Sequence, residues 1–348
     1  MDQIKVLTPI GMLGYGIPAE WFWRGVAERP DVITVDAGST DSGPQKLGLG
    51  SMTCSRDAYR KDIGLLLEAA HTHRIPVHIT SAGGDGSNAH VDVFLDIVAE
   101  IAAARGYRFR AGAIYADMDK DHVKAALAAG RITPCGPVPA LAPADVDAAT
   151  TIVAQMGAEP FLELLGSHDD LDIVISGRTY DPVPIATAGL RQGFDPGLCW
   201  HMGKIMECGA QCAEPGGSNI LGILSRDFFE LEPTNPAERC TVSSVAAHTL
   251  YEKSHPSLLP GPGGTLDLSE CRYEQVTERR VRVLRQPVHP LQSLYGEAGR
   301  RAALRAIAPS SSAPRATRSS SLRWRMRCCA WSSTCGSSSP MSRRSGTS

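Results

Sequence analysis

The sequence predicts an α/β fold: a Rossmann-like, three-layer domain whose parallel sheet carries helices on both faces, followed by a non-native or disordered tail. Three observations predict it. Short apolar runs alternate with stretches of helical length and period. Glycine, aspartate and hydroxyl residues crowd the positions after each apolar run rather than before it. The composition then breaks abruptly near residue 284, which sets the domain at 1–283 and the tail at 284–348.

The elements follow in order. IKVLTP (4–9) reads as a strand leading to GMLGYG, with a helix from about Pro18. VITVD (32–36) leads to AGSTDSGPQKLG, and a helix covers about Ser55–His73. PVHITS (76–81) leads to AGGDGSN, with a helix from about Ala89 to Ala104. FRAGAIYAD (109–117) precedes a further helical stretch, and DIVISG (172–177) leads to RTYDP and another helix. GLCWHMGKIMECGAQCAE (197–214) and CTVSSVAAHTLYEK (240–253) both read as helices, and YEQVTERRVRV (273–283) as strand-like. Parallel strands joined by right-handed helical crossovers put every strand-to-helix loop on one edge of the sheet. Ligands of open α/β sheets bind at that carboxyl edge. GMLGYG, DAGSTDSG, SAGGDGSN, YAD and GRTYDP are therefore expected to converge.

Bulk properties exclude several classes. The formal net charge is −2 over 348 residues, so no polyanion partner is advertised and no nucleic acid is expected. No apolar run reaches the ~18–20 residues of a membrane span. MDQIKVLTPIGML lacks the basic and long apolar regions of a secretory signal, and the ten cysteines form no CxxC pair. A cytoplasmic protein with reduced thiols is the expectation.

DAGSTDSG offers backbone N–H groups at Gly38 and Gly43, hydroxyls on Ser39 and Thr40, and carboxylates on Asp36 and Asp41. Such a loop binds phosphate or carboxylate, or its two acids hold a divalent metal; alternatively it only caps itself. DAGST also resembles the first phosphate loop of actin-like ATPases, but a second strand should follow that turn, and Pro44 cannot donate in a central ladder. In SAGGDGSN, Gly83 and Gly84 allow close backbone approach, while Asp85 and His90 supply acid–base or metal-binding groups. Asn88 reads equally well as a helix cap. In GRTYDP, Asp181 before Pro182 reads as an N-cap, which leaves Arg178 as the bidentate anion ligand. His201, Lys204, Cys208 and Gln211 share one helical arc, and Thr241, Ser244, His248 and Tyr251 share another. Solvated faces or satisfied core histidines explain both arcs as readily as a pocket wall.

Together GMLGYG, VDAGSTDSGP, SAGGDG, GRTYDP, WHMGKIMECGAQCAEP, RCTVSSVAAHTLYEKSHP and LPGPGG resemble the AtuA family of acyclic terpene utilisation, over about residues 5–283. The resemblance implies an N-terminal α/β domain and a smaller, ferredoxin-like C-terminal part. It also implies a role in catabolism of citronellol- or geraniol-like compounds and other branched acids, without assigning the chemical step. Because the sequence shows no nicotinamide fingerprint and no hydrolytic nucleophile motif, a hydratase or lyase acting on a small anionic carboxylate or CoA thioester is expected. Gly38, Ser39, Thr40, Gly83, Gly84, Arg178 and Lys204 would bind the substrate, and Asp36, Asp41, Asp85, His201 or His248 would do acid–base work. The alternative is a non-catalytic subunit or small-molecule binding module. A homo-oligomer, or a complex with a small ferredoxin-like partner domain, is the expected assembly.

The family pattern also bears on the tail. Residues 284–348 hold 15 Ser and 11 Arg, one Glu, and neither Lys nor Asp. Read one base later, codons for Leu284–His289 can encode Ser-Gly-Ser-Arg-Phe-Ile, and those for Leu294–Ala298 can encode Tyr-Thr-Val-Lys-Leu. Both match the family's continuation at a single offset, so the tail is expected to be out-of-frame translation from a shift near Val283. Sequencing the gene across that point tests this. An open shifted frame continuing the Tyr-Thr-Val-Lys-Leu segment is expected, and a closed frame would show the tail to be genuine.

Overall fold

The computed structural model describes residues 2–40, 42–134, 138–251, 255–262 and 264–284, together with the backbone of three later strands. The first five strands of the sheet core arise as the patterning dictates. They are β1 (Gln3–Thr8), β2 (Val32–Asp36), β3 (Val77–Thr80), β4 (Phe109–Ile114) and, after an outlying β5 (Ala149–Gln155), β6 (Ile173–Ser176). They pair in parallel in the order β1-β2-β3-β6-β4. Every residue of β2, β3 and β6 is buried, as expected for strands covered on both faces.

Helices alternate with these strands, and local chemistry sets their ends. Pro18, with φ −66°, leads into α1 (Ala19–Ala27). Pro44 sits in the first turn of α2 (Gly43–Leu49), where its missing N–H costs nothing. Ser55 caps α3 (Arg56–His73) by accepting from Ala58 N at 3.2 Å. α4 (Asn88–Arg105) ends at Gly106 in the left-handed region. Asp119 caps α5 (Lys120–Ala128), and α6 (Pro143–Ala148) and α7 (Glu159–Ser167) flank β5. After β6 come α8 (Val183–Leu190) and α9 (Pro196–Met206).

Alternation along the strands splits the core in two. Leu7, Ile33, Ile79, Ile173 and Ile175 pack with Phe22, Tyr59, Leu66, Phe94 and Val98 from α1, α3 and α4. Val6, Val32 and Val174 point the other way, toward the buried faces of α7, α8 and α9. The domain is α/β, with helices on both faces of its central sheet.

The sheet is mixed, not wholly parallel. A short β7 (Ala213–Glu214) is followed by β8 (Ile220–Ser225) and β9 (Phe228–Pro233). β8 lies antiparallel against β1, and β9 against β8. After β10 (Arg239–Cys240), α10 (Val242–Thr249) and the hairpin β11 (Leu258–Gly261)–β12 (Gly264–Asp267), the strand-like YEQVTERRVRV folds as a hairpin. Its arms are β13 (Tyr273–Gln275) and β14 (Val281–Leu284), and β14 extends the sheet from β9. Arg280 and Arg282 bridge Glu230 and Glu232 of β9 from the β13–β14 hairpin, which pins the register.

The 197–214 stretch is not one helix. α9 stops at Met206, and a 3₁₀ turn, Gly209–Cys212, precedes β7, with Gly209 at φ +63°. Cys208 and Gln211 therefore leave the expected arc. Beyond Leu284, the strands Val288–Pro290, Ala303–Pro309 and Met326–Trp331 lie antiparallel against β12, β5 and β4 respectively. The rest of the tail, and the reading of it as non-native, lies outside the described residues. Among the described residues no helix is long and apolar enough to cross a membrane.

Asp62 on α3 is fully buried and accepts from three backbone N–H groups of the GMLGYG loop: Gly14 at 2.8 Å, Gly16 at 3.1 Å and Ile17 at 3.0 Å. Three charge-assisted bonds to one carboxylate hold that loop against the helix. Asp62→Ala leaves all three donors without an acceptor and should cost about 3 kcal/mol or more in urea unfolding. A loss under about 0.5 kcal/mol would show that the loop re-satisfies itself.

Candidate functional site

The five loops converge at the carboxyl edge, stitched by their own backbones. Leu13 N donates to Asp36 O, Ala37 N to Thr80 O, Ala82 N to Ser176 O, Arg178 N to Gly86 O, and Gly177 N to Ile114 O, all within 2.8–3.0 Å. Gly38 lies so close to Gly84 that a side chain there would overlap the Gly84 carbonyl. Gly84 itself has φ +102°, a conformation reserved for glycine, with Thr53 packed over it.

Arg178 sits at the centre, 4 % exposed. Its Nε donates to Thr179 O, one terminal nitrogen to Gly38 O at 2.7 Å and to Ser39 O and Gly84 O at 3.3 Å, and the other to Thr40 Oγ1 and the Asp181 carboxylate. All five donors have protein acceptors. The expected anion ligand is thus, in this arrangement, a staple across three loops. Asp181 is not the helix cap the sequence predicts. Pro182 occupies the cap position of α8, while the Asp181 carboxylate accepts from Thr40 N at 3.0 Å and Thr40 Oγ1 at 2.9 Å besides pairing with Arg178.

Asp36, at the end of β2, is buried beside this pair. It accepts from the Thr80 hydroxyl at 2.5 Å and from Gly38 N at 3.0 Å. Burial, and then the negative charge of Asp181, push its carboxyl up to about 7, against the opposing pull of Arg178. Arg178 is already shared with the half-buried Asp181, so the buried Asp36 holds its proton up to about neutral pH.

Asp85 forms a second centre. It is 2 % exposed, accepts from Ser87 N at 2.9 Å, and meets His90 Nδ1 at 2.6 Å. Around it, Asn88 is no cap: it opens α4, and its Oδ1 accepts from Ala116 N and Asp117 N at the end of β4. The Tyr115 hydroxyl donates to Asp92. The Asp117 residue is exposed overall, yet its carboxyl is crowded by protein, Asp85 and Asp92, and is raised to about 6. A cavity of about 10 Å³ separates this centre from the first, walled by Asp85, Thr40, Gln155, Arg178, Pro44 and Leu47. It has room for about one water, with Asp85 and Gln155 as the polar groups in an otherwise largely apolar wall.

The remaining candidates fall elsewhere. The structure joins Asp36, Gly38, Ser39, Thr40, Gly83, Gly84, Asp85 and Arg178 in one region. Asp41 lies outside the described residues. His201 is fully buried on α9, its ring edge-on to Phe229 and Tyr273. Lys204 is buried too and pairs with Glu207. The α9 arc is not a solvated face, because the whole helix from Gly197 to Met206, Trp200 excepted, is buried. On α10, Thr241 and Ser244 are spent on a reciprocal cap, and His248 stacks on an exposed Tyr251. That stripe is no pocket wall. Thr80 and Gln155 went unread as site residues; both lie within strands, where only pairing shows which strand ends meet. A helix, α2, follows DAGST, so the strand that an actin-like phosphate turn requires is not there. Among the described residues no three His, Cys, Asp or Glu stand together in a way that could hold a metal ion.

Comparison of the chain with family models, with curated proteins and with solved structures returns no match.

The raised Asp36 carboxyl has a consequence for stability. The folded chain binds this proton more tightly than the unfolded one, so the Asp36 contribution is full below about pH 4 and is lost as pH rises toward 7. Asn fits the same site, its oxygen accepting from Gly38 N and its amide donating to Thr80 Oγ1. Asp36→Asn should therefore flatten the fall in Tm between about pH 4 and 7, and melt no lower than the parent at pH 8. An unchanged Tm–pH curve would show that Asp36 is ionised throughout.

Proposed function

We propose that this chain is an acid–base enzyme of hydratase or lyase type, acting on a small anionic substrate at the carboxyl edge. The observation that carries this is the water-sized, mostly apolar cavity that Asp85, paired with His90, helps to line. In this reading Asp85, oriented by Ser87 N and coupled to His90, takes a proton from a water held against Gln155. Asp36, protonated near neutrality, supplies the acid of the opposite sense. Two carboxyl groups in contrasting environments on one edge are a usual way to divide acid and base roles. Anything larger than water enters only if a wall of the cavity moves. Branched-acid catabolism of the AtuA kind is the setting the motif resemblance points to, with a carboxylate or CoA thioester as substrate.

A second reading is a ligand-binding subunit without turnover, and under either reading an anion must be met by groups other than those already spent. The Arg178 donors and the N–H groups of Gly38, Thr40 and Gly84 are already bonded within the protein. Hydration of 2-enoyl carboxylates and thioesters, followed by loss of enoyl absorbance, separates the two. Asp85→Asn should lower kcat by about 10²–10⁴ with little change in KM. Calorimetric binding with no turnover in the parent would favour the binding module. Full activity in Asp85→Asn would remove Asp85 from the mechanism.

A further inference from the structure

The carboxyl edge leaves His201 unused, although its surroundings are specifically arranged. His201 Nε2 lies 3.2 Å from Thr249 Oγ1, and Thr249 Oγ1 donates its own proton to Val245 O at 3.0 Å. With that proton committed, Thr249 can only accept, so Nε2 carries the imidazole hydrogen. Nδ1 is then the unprotonated nitrogen, and it faces Cys271 Sγ at 4.0 Å. Catalytic hydrogen bonds of this kind are commonly long until a reactant is bound. Phe229 and Tyr273 hold the ring from its sides, at centroid distances of 5.3 and 6.4 Å.

Nucleophile, base and orienting group thus occur in sequence, with the nucleophile at the protein boundary and the base in the core. Cys271 is half-buried in the turn where its N–H donates to Leu268 O, whereas His201 is fully enclosed. The other described thiols with resolved behaviour are held inert. Burial pushes Cys199 up to about 12 and raises Cys54, and the Cys240 thiol together with burial raises Cys212 far above the ordinary range. Burial raises the Tyr273 hydroxyl well above its ordinary range, so it meets Cys271 and Thr249 as a neutral hydrogen-bonding group.

We propose that Cys271 is a nucleophilic thiol activated by His201 and that it takes α,β-unsaturated carbonyl compounds as its electrophiles. The thiol proton passes to His201 Nδ1 as sulfur bonds to the β-carbon of the acceptor. The carbon–carbon π pair moves toward the carbonyl, and the α-carbon then takes the proton back from the imidazolium. One S–C bond and one C–H bond form, one S–H bond and one π bond are lost, and no oxidant or reductant is needed. Thr249 is a positioning residue, acting through the tautomer it imposes. Nothing in this step depends on Asp36 or Asp85.

The test uses the full chain with limiting N-ethylmaleimide, an acceptor of this class, and peptide mass spectrometry of each of the ten cysteines. Near pH 7, Cys271 should alkylate about tenfold faster or more than the same cysteine in the urea-unfolded chain. His201→Gln should bring it to the unfolded rate or below. Thr249→Val should slow it severalfold, and Thr249→Ser, which keeps the hydroxyl, should restore it. Near-ultraviolet circular dichroism checks that each variant is folded. If Cys271 reacts in the parent no faster than in the unfolded chain, the proposal fails. It fails equally if folded Thr249→Val and Thr249→Ser react alike at the parent rate.

Discussion

The Arg178–Asp181 pair is the interaction on which the carboxyl edge depends. Loops rich in glycine have no side chains with which to hold one another, and their carbonyls, once turned inward, need donors. One planar guanidinium supplies five, and it binds carbonyls or hydroxyls of the DAGST and SAGGDG loops while remaining on GRTYDP. Asp181 returns the link through Thr40, so the stitch runs in both directions. A buried guanidinium with a carboxylate partner is no large source of stability in itself, because desolvation offsets the attraction. Its value lies in specifying one arrangement, since breaking either half strands a buried charge.

The same pair tunes the chemistry of its neighbour, after burial. Asp36 would be an ordinary acid in water, and Arg178 nearby would make it a stronger one. Asp181 reaches the cation first, and burial then disfavours a second negative charge. The raised Asp36 carboxyl is thus set first by burial and then by Asp181, 145 positions away, against the opposing pull of Arg178, 142 positions away, and Thr80, 44 positions away. Asp85 is treated differently: it keeps a histidine partner and a wall of the water-sized cavity. Loops of similar composition thus deliver carboxyl groups in unlike environments.

On the far side of the sheet the logic is one of burial. α9 carries His201, Lys204 and a run of apolar residues into a space closed by α8, β8, β9 and α10. A histidine on a helix enclosed on every side must have partners, and Thr249 and Cys271 are two that the fold provides. The antiparallel strands β8 and β9 help create that enclosure.

By itself the sequence determined the alternation of strand and helix through Arg105, the burial of β2, β3 and β6, and the clustering of special residues after each strand. Those features follow from local apolar period, proline and glycine geometry and capping chemistry, all of which act within a few residues. Convergence of the loops was legible too, because the handedness of parallel crossovers leaves one choice of edge. The β8–β9 hairpin was not, since ILGIL and FFELEP carry the apolar content of either a strand or a buried helix segment. Only the tertiary structure decided that Arg178 is spent on carbonyls, that Asp181 pairs instead of capping, and that His201 faces a thiol. A side chain's role depends on which donors and acceptors surround it after folding, and those partners come from chain segments that no local pattern connects.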